Sequence, residues 1–352
     1  MEKIFIIAEA GVNHNGDIHR ALDMVDVAAE VGADAIKFQT FTAATLVTAQ
    51  APKAGYQQQA TGSGTQLSML EALELSADEH FILQRRCGDR KIEFLSSPFD
   101  VASLRFLVDH RLVQRIKIPS GELTNGPLLW EAARTDKSLI VSTGMAHDKE
   151  IHMALRLIGL AQAGAEPSAL YAVVPPAYDE KQLRSRVILL HCTTAYPTPM
   201  NQVNLRAMRG LKQRFSLPVG YSDHTEGITV PLAAAAMGAR VIEKHFTLDR
   251  TLEGPDHRAS LEPRELEAMI REIRQIELAM GDGVKRAQVT ELDNARVARK
   301  SLHAAIPVAA GELFTVDNLA IKRPGTGRSP MDYWRLLGTP AERGYRADEA
   351  LD

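Results

Sequence analysis

The segment Ile4-Phe-Ile-Ile-Ala8 is a short apolar run that ends at a carboxylate, Glu9. A stretch of helical period, Asp17–Val31, follows it, and a second apolar run, Ala35-Ile-Lys-Phe38, comes next. Short apolar runs that alternate with amphipathic stretches are typical of βαβ units, in which parallel strands are joined by helices. This segment therefore predicts an α/β fold with a parallel sheet.

The same alternation continues to about residue 280 and predicts eight strands. They are Ile4–Ala8, Ala35–Phe38, Glu93–Ser96, Arg115–Ile118, Leu139–Ser142, Val187–His191, Val219–Tyr221 and Val241–Lys244. Amphipathic stretches such as Ala77–Arg90, Lys149–Ala163 and Pro263–Met280 are long enough for the crossovers between them. Because eight parallel strands close a barrel, we predict a TIM (β/α)8 barrel.

Two long connections interrupt this pattern. Thr42–Leu75 is interpreted as a long polar loop and Gly164–Leu183 as another, and loops of such length are usually lids or binding loops. From Lys300 to Asp352 the chain is punctuated by Gly and Pro and shows no long helical pattern. We predict a barrel over residues 1–282, a linker over 283–299 and a small irregular domain over 300–352.

Composition excludes several classes of function. The chain of 352 residues has a net charge of −3, so no basic surface for nucleic acid or anionic membrane is expected. No apolar stretch approaches the length of a membrane span, and the amino terminus lacks the pattern of a secretory signal. The two cysteines, Cys87 and Cys192, have no paired spacing, which is compatible with a cytoplasmic location.

Polar side chains gather where the predicted strands end, and in a barrel these carboxyl ends form the active site. They are Glu9, Lys37, Gln39, Ser96, Ser97, Lys117, Ser120, Glu122, Ser142, Thr143, His191, Thr194, Tyr196, Ser222, Asp223, His224, Glu243 and His245. Any single Ser or Thr among them is equally compatible with helix capping. The whole set at one barrel mouth predicts a site.

His224 and His245 follow strands seven and eight, which are neighbours in a closed barrel. Two imidazoles with open positions for water and substrate suit a catalytic divalent ion that polarises an aldehyde. Mn²⁺ is the first choice, with Mg²⁺ or Co²⁺ as alternatives. The other hypothesis is that both histidines are structural.

Lys37 and Lys117 lie at strand ends near the predicted barrel axis, where a buried ammonium needs an anion. One hypothesis is that they bind a phosphate and a carboxylate of the substrate, with nearby serine hydroxyls. The alternative is a structural ion pair with Glu122 or Glu9. A Schiff-base aldolase, with one of these lysines as nucleophile, is a further possibility.

Several motifs closely resemble the sialic acid synthase family over nearly the whole chain. They are Ile7-Ala-Glu9-Ala-Gly-Val-Asn13-His-Asn-Gly16, Lys37-Phe-Gln39, Pro119-Ser-Gly-Glu122, Ser142-Thr-Gly-Met145, Tyr196-Pro-Thr-Pro199, Tyr221-Ser-Asp-His224 and Gly254-Pro-Asp256. Near the carboxyl terminus, Lys322-Arg323-Pro-Gly325 resembles the antifreeze-like (SAF) domain of that family. A non-enzymatic sugar-binding or ice-binding protein is the remaining alternative, suggested only by this segment.

The resemblance implies a condensation of phosphoenolpyruvate with an N-acetylated amino sugar. N-acetylmannosamine would give N-acetylneuraminate, and 2,4-diacetamido-2,4,6-trideoxymannose would give a legionaminate. The implied residues are His224 and His245 for the metal, Lys37, Lys117, Ser97, Ser120, Ser142, Thr194 and Ser222 for phosphoenolpyruvate, Gln39, Tyr196, Asp256 and Arg323 for the sugar, and Glu122, then Glu9, for proton transfer. Thr194 replaces an Asn of some relatives, so its contact is shorter in reach. The resemblance also implies a domain-swapped homodimer in which Arg323 reaches the partner's barrel.

Overall fold

The computed structural model describes residues 3–172 and 179–352, so the predicted connection Gly164–Leu183 lies partly outside the described residues. The strands of the larger unit are β1 (Phe5–Gly11), β2 (Ala35–Thr40), β3 (Glu93–Pro98), β4 (Arg115–Ile118), β5 (Ser138–Ser142), β6 (Val187–His191), β7 (Val219–Asp223) and β8 (Val241–His245). Its helices are α1 (Ile18–Glu30), α2 (Ala43–Leu46), α3 (Gly55–Thr61), α4 (Gln66–Glu71), α5 (Ala77–Arg90), α6 (Val101–Asp109), α7 (Gly126–Arg134), α8 (Asp148–Gln162), α9 (Glu180–Arg186), α10 (Arg206–Phe215), α11 (Thr229–Ala236) and α12 (Pro263–Ala279). The eight predicted strands are confirmed, most of them one or two residues longer than predicted.

The chain divides into two compact units, Met1–Asp282 and Gly283–Asp352. In the first unit all paired strands are parallel, and the order is β3-β2-β1-β8-β7-β6-β5-β4. The two edge strands, β3 and β4, pack against each other, so the sheet curls into a near-closed barrel. The predicted (β/α)8 class is confirmed.

The barrel is filled by a small apolar layer on its axis. Side chains alternate between the two faces of a strand, so every second residue points inward. The inward layer consists of Ile7, Ala35, Leu95, Ile140, Leu190 and Val241, all buried. It closes the barrel below the carboxyl ends of the strands and forms the floor of the space at those ends.

The prediction of a polar loop over Thr42–Leu75 is wrong, because the segment contains α2, α3 and α4. Their apolar side chains form a separate cluster around Phe41, Met69 and Leu73, next to the main core. Helices of 4, 7 and 6 residues such as these are too short to show a helical period in the sequence. We call Ala43–Leu73 the lid segment.

The second unit is built around its own apolar cluster, which includes Leu302, Phe314 and Tyr345. Its elements are α13 (Leu292–Ala298), β9 (Ser301–Ala304), β10 (Leu319–Lys322) and α14 (Tyr333–Leu336), and β9 pairs with β10 antiparallel. The predicted linker thus includes a short helix. Across both units, none of the described helices has the length and apolar character required to cross a bilayer.

Candidate active site

Two residues beyond the apolar floor, the strands turn polar side chains toward the barrel axis. Because the pleat repeats every two residues, the residue at i+2 from each floor residue faces the same way. The pairs are Ile7 and Glu9, Ala35 and Lys37, Leu95 and Ser97, Ile140 and Ser142, Leu190 and Cys192, and Val241 and Glu243. The local β pattern therefore produces a polar layer directly above an apolar one.

This polar layer is the base of a cavity of about 490 Å³. All residues to which the resemblance assigns a role, except Arg323, line it: Glu9, Lys37, Gln39, Ser97, Lys117, Ser120, Glu122, Ser142, Thr194, Tyr196, Ser222, His224, His245 and Asp256. Of the other strand-end residues predicted to form the site, Glu243 lines the cavity, whereas Ser96, Thr143, His191 and Asp223 do not. The volume is in the range of small-molecule sites. The structure thus brings together residues that are more than 240 positions apart in sequence.

Two lysines and two glutamates form a buried cluster at the base. Lys37 Nζ lies 2.5 Å from Glu9 Oε2 and 3.8 Å from Glu243 Oε2, and Lys117 Nζ lies 3.3 Å from Glu243 Oε1. All four side chains are at most 5% exposed. The ion-pair hypothesis therefore holds for Lys37 with Glu9, whereas the carboxylate nearest Lys117 is Glu243 and not Glu122.

The two carboxylates of this cluster differ in their affinity for a proton. Burial raises the pKa of Glu9 to about 7, although the Lys37 ammonium opposes this shift. Burial also favours the neutral form of Glu243, but Lys117 and Lys37 together hold its pKa at about 2. Glu243 is thus a permanent counter-ion, while Glu9 can gain and lose a proton near neutral pH.

Serine hydroxyls surround the two ammonium groups. Lys37 Nζ donates to Ser97 Oγ at 3.0 Å, and Ser222 Oγ donates to Glu243 Oε1 at 2.9 Å. Ser142 Oγ is buried, and no residue that the structure describes makes a hydrogen bond with it. A buried hydroxyl without a partner loses free energy unless a ligand or water binds it.

Gly144 keeps the space beside these hydroxyls open. A Cβ atom at this position would lie 2.8 Å from both Ser120 Oγ and Thr194 Cγ2. The amide N–H of Gly144 donates to Ser120 Oγ at 3.1 Å. Only glycine therefore fits at the turn that follows β5, and Thr194 takes part in the same close packing.

The two predicted metal ligands lie side by side. The ring centroids of His224 and His245 are 5.3 Å apart. His224 Nδ1 donates to the carbonyl oxygen of Thr193 at 2.6 Å, which leaves the Nε2 lone pair available. His245 Nδ1 is buried, and the structure, over its described ranges, shows no hydrogen bond to it.

Burial lowers the pKa of both imidazoles, so both are neutral and able to act as ligands. In the described ranges no group of three or more His, Cys, Asp or Glu side chains is arranged to hold an ion. Two neutral imidazoles with free nitrogens fit a divalent ion that keeps positions for water and substrate.

Aromatic rings cover this pair of histidines. The Tyr196 ring centroid lies 4.2 Å from that of His224, and Tyr56 of α3 lies 5.0 Å from Tyr196. Asp256 Oδ2 is 3.8 Å from His245 Nδ1, and burial raises the pKa of Asp256 to about 6. Tyr56 was missed in the sequence because its helix was interpreted as loop.

Glu9, Gln39 and His245 meet around Gly11, whose φ is +54°. A Cβ atom there would lie 3.3 Å from Glu9 Oε1, 3.6 Å from Gln39 Nε2 and 3.5 Å from His245 Cε1. The acid/base candidate, a predicted sugar contact and a predicted metal ligand therefore share one corner of the cavity.

Glu122 is half-buried at the rim, where its Oε2 accepts a hydrogen bond from Asn125 Nδ2 at 2.6 Å. Burial raises its pKa above the ordinary value. Glu243 received no role in the sequence analysis, although its spacing of two from His245 places both side chains on the inner face of β8. Arg323 is an exposed residue of the second unit, directly after β10.

Known proteins resemble this chain over its whole length. The NeuB family model matches residues 24–285. N,N'-diacetyllegionaminic acid synthase of Campylobacter jejuni subsp. jejuni is 47% identical over 352 residues, which is 100% of this chain and 99% of that protein. The protein of the same name from Legionella pneumophila subsp. pneumophila is 44% identical, over 99% and 93% of the two chains.

Among solved structures, the N-acetylneuraminic acid (sialic acid) synthetase of Leptospira borgpetersenii serovar Hardjo-bovis superimposes with a TM-score of 0.68. It is 34% identical, and the match covers 83% of this chain and 90% of that one. The similarity therefore extends from the sequence to the barrel itself.

Proposed function

The chain belongs to the NeuB family, the sialic and legionaminic acid synthases, and is an enzyme of that kind. On this premise we propose that it condenses phosphoenolpyruvate with 2,4-diacetamido-2,4,6-trideoxymannose, releasing N,N'-diacetyllegionaminate and phosphate. The names of the two bacterial relatives favour this sugar over N-acetylmannosamine, the other sugar that the sequence resemblance implies. N-acetylmannosamine stays the second candidate because of the similarity to the Leptospira enzyme.

One observation carries the proposal for phosphoenolpyruvate: Lys37 and Lys117 are both buried at the base of an open cavity. When Glu9 is protonated, Glu243 is the one charged carboxylate that the described residues place within ion-pair distance of these two ammonium groups, and this cluster carries net positive charge. A substrate with a carboxylate and a phosphate compensates that charge. The hydroxyl of Ser142 and the turn at Gly144 offer it further hydrogen bonds.

In the first step, C3 of phosphoenolpyruvate forms a bond to the aldehyde carbon of the open-chain sugar. The carbonyl oxygen becomes a hydroxyl, so it must gain a proton. Glu9 has a pKa of about 7 and is therefore partly protonated at neutral pH, which suits this donation. Its position beside Gln39 and His245 supports the assignment.

In the second step, water adds to C2, the former enol carbon, and the bond between C2 and the bridging oxygen breaks. Phosphate leaves with that oxygen, and the water loses its protons as the product forms. Glu122 is proposed to accept a proton, because among the described residues its carboxylate forms no ion pair and is held only by the hydrogen bond from Asn125. Most of the rate acceleration then comes from holding two substrates together in a site whose charged groups are buried.

His224 and His245 are the residues that would hold a divalent ion, with Mn²⁺ preferred. When bound, such an ion supplies a Lewis acid for the aldehyde oxygen. We expect EDTA to abolish turnover and Mn²⁺ to restore it. Mn²⁺ binding, followed by electron paramagnetic resonance, should be lost in His245→Ala and retained in His147→Ala, whose imidazole is exposed. Full activity of the wild type in EDTA would contradict the metal assignment.

The second unit is proposed to be an antifreeze-like domain in fold and role. The enzyme is proposed to be a domain-swapped homodimer. The motif Lys322-Arg323-Pro-Gly325, at the end of β10, supports this. The guanidinium of Arg323 is exposed and suited to directional hydrogen bonds with an amide oxygen of a sugar.

Release of phosphate tests the reaction. Phosphoenolpyruvate with ¹⁸O at the bridging position should yield labelled phosphate, detected by ³¹P nuclear magnetic resonance, because the C–O bond breaks. Each candidate sugar is assayed in turn, and the product is identified by mass spectrometry. Borohydride treatment with a carbonyl substrate should leave the protein mass unchanged, whereas a trapped imine would indicate the aldolase alternative.

A further inference from the structure

The upper part of the cavity has a wall without charge. Six apolar residues form it, which we call the apolar wall: Val12, Leu46, Val47, Met69, Leu70 and Leu73. Five of them belong to the lid segment, and all six are members of the cluster that is separate from the barrel core or pack against it. The wall thus has its own packing, separate from that of the barrel core.

The charges of the cavity lie elsewhere. Its two lysines, Lys37 and Lys117, are at the ends of β2 and β4, and no arginine is among the described residues that line it. The wall residues Met69, Leu70 and Leu73 are at most 9% exposed. The cavity therefore combines a base that holds both lysines with an apolar wall, while Glu122 and Asp256 line it outside that wall.

This division orients the sugar. The aldehyde carbon must lie beside phosphoenolpyruvate at the charged base, so the far end of the open chain, C6, extends away from the strand ends. The lid segment follows β2 and lies beyond those ends. Of the substituents along the open chain, the one at C6 is then the farthest from the base and the candidate for contact with the wall.

We propose that the apolar wall is the subsite for C6 of the sugar and selects a methyl group over a hydroxymethyl or phosphorylated one. This inference rests on the proposed function and adds the residues that determine its sugar. A methyl group gains free energy when it is buried against apolar side chains. A hydroxyl there loses hydrogen bonds to water, and a phosphate meets no cation on the wall itself.

A matched pair of sugars isolates this position. 2-Acetamido-2,6-dideoxymannose and N-acetylmannosamine differ only at C6, and phosphate release with each gives kcat/KM. We expect the 6-deoxy sugar to be preferred by about 10- to 100-fold, as is usual for one group in an apolar pocket. N-acetylmannosamine 6-phosphate should give no detectable turnover.

Two variants of α4 then test the wall itself. Leu70→Asn adds a polar group of similar size to the wall, and the preference for the 6-deoxy sugar should fall by about tenfold. Leu67→Asn is the control, because Leu67 packs on the same cluster but does not line the cavity. The ratio of kcat/KM for the two sugars in this variant should match that of the wild type. The KM for phosphoenolpyruvate should be unchanged in both.

The outcomes distinguish a failure of the proposed C6 subsite from a failure of the proposed condensation. Equal kcat/KM for the two sugars in the wild type, or an unchanged ratio in Leu70→Asn, overturns the subsite and leaves the condensation intact. Absence of phosphate release with every sugar rejects the proposed function instead. If circular dichroism shows that Leu70→Asn is unfolded, Val47→Thr replaces it, since this substitution changes one methyl group to a hydroxyl. The ratio of kcat/KM for the two sugars is then measured in that variant, and an unchanged ratio overturns the subsite.

Discussion

Lys117 illustrates how much one buried charge contributes to binding. Its ammonium lies 3.3 Å from Glu243 and lines the cavity base. In Lys117→Met the Glu243 carboxylate has only Lys37 to balance it and repels an anion. We expect the KM for phosphoenolpyruvate to rise by about 10- to 100-fold, the usual effect of losing a charge-assisted hydrogen bond.

The sugar KM should change by less than about threefold, since the lost charge faces the anion. Lys149→Met, at an exposed position of α8, is the control and should behave as the wild type. Steady-state kinetics with each substrate varied in turn measure both constants. Equal losses for the two substrates would instead support a purely structural role for Lys117.

Glu122 predicts a pH dependence. Burial raises its pKa, so as a base it loses activity when the pH falls through a value above the ordinary carboxyl range. The profile of kcat/KM against pH should therefore show an acidic limb displaced upward, and Glu122→Gln should abolish that limb and lower kcat. Glu226→Gln, exposed after β7, should keep it. A limb that persists in Glu122→Gln would assign it to another group.

At the scale of elements, a buried ion pair ties β7 to β8 behind the two histidines. Lys244 Nζ lies 2.6 Å from Asp223 Oδ2, and both side chains are fully buried. Asp223 also accepts hydrogen bonds from the backbone and hydroxyl of Thr225. Since Asp223 and Lys244 point away from the axis, their neighbours His224 and His245 point into the cavity.

Lys244→Met should destabilise the protein by about 3–5 kcal/mol, because it leaves a buried carboxylate without a counter-ion. The double variant Asp223→Leu with Lys244→Met should recover most of that loss, since no buried charge remains. Urea denaturation followed by circular dichroism compares them. Arg184→Met, which removes an exposed pair with Glu180, should change stability by less than about 1 kcal/mol. A double variant no more stable than Lys244→Met would refute this account.

At the scale of the whole molecule, the proposed domain swap predicts complementation between subunits. Arg323→Ala should raise the sugar KM or lower kcat, with the KM for phosphoenolpyruvate nearly unchanged. In a mixed dimer with His224→Ala, one site would carry both substitutions and the other neither. Activity should therefore return when the two variants are unfolded together and refolded as a mixture.

Both parental homodimers, refolded alone, are the controls, and analytical ultracentrifugation verifies the dimer. If each second unit served its own barrel, every site in the mixture would carry one substitution. No activity above that of the parents would then return, and the crossed arrangement would be excluded.

The sequence alone determined the barrel, because the period of each strand and helix is a local property that hydrophobic patterning expresses directly. It also indicated which strand ends hold the side chains of the candidate site, since in parallel α/β barrels the carboxyl ends meet at one face. Local pattern did not indicate the helices of the lid segment, which are too short to show a period, and so Tyr56 and the apolar wall were missed. Only the tertiary structure decided that Lys117 is paired with Glu243 and that Glu9 has a pKa near 7. Both depend on burial and on distances between strands far apart in the chain, which no local pattern contains.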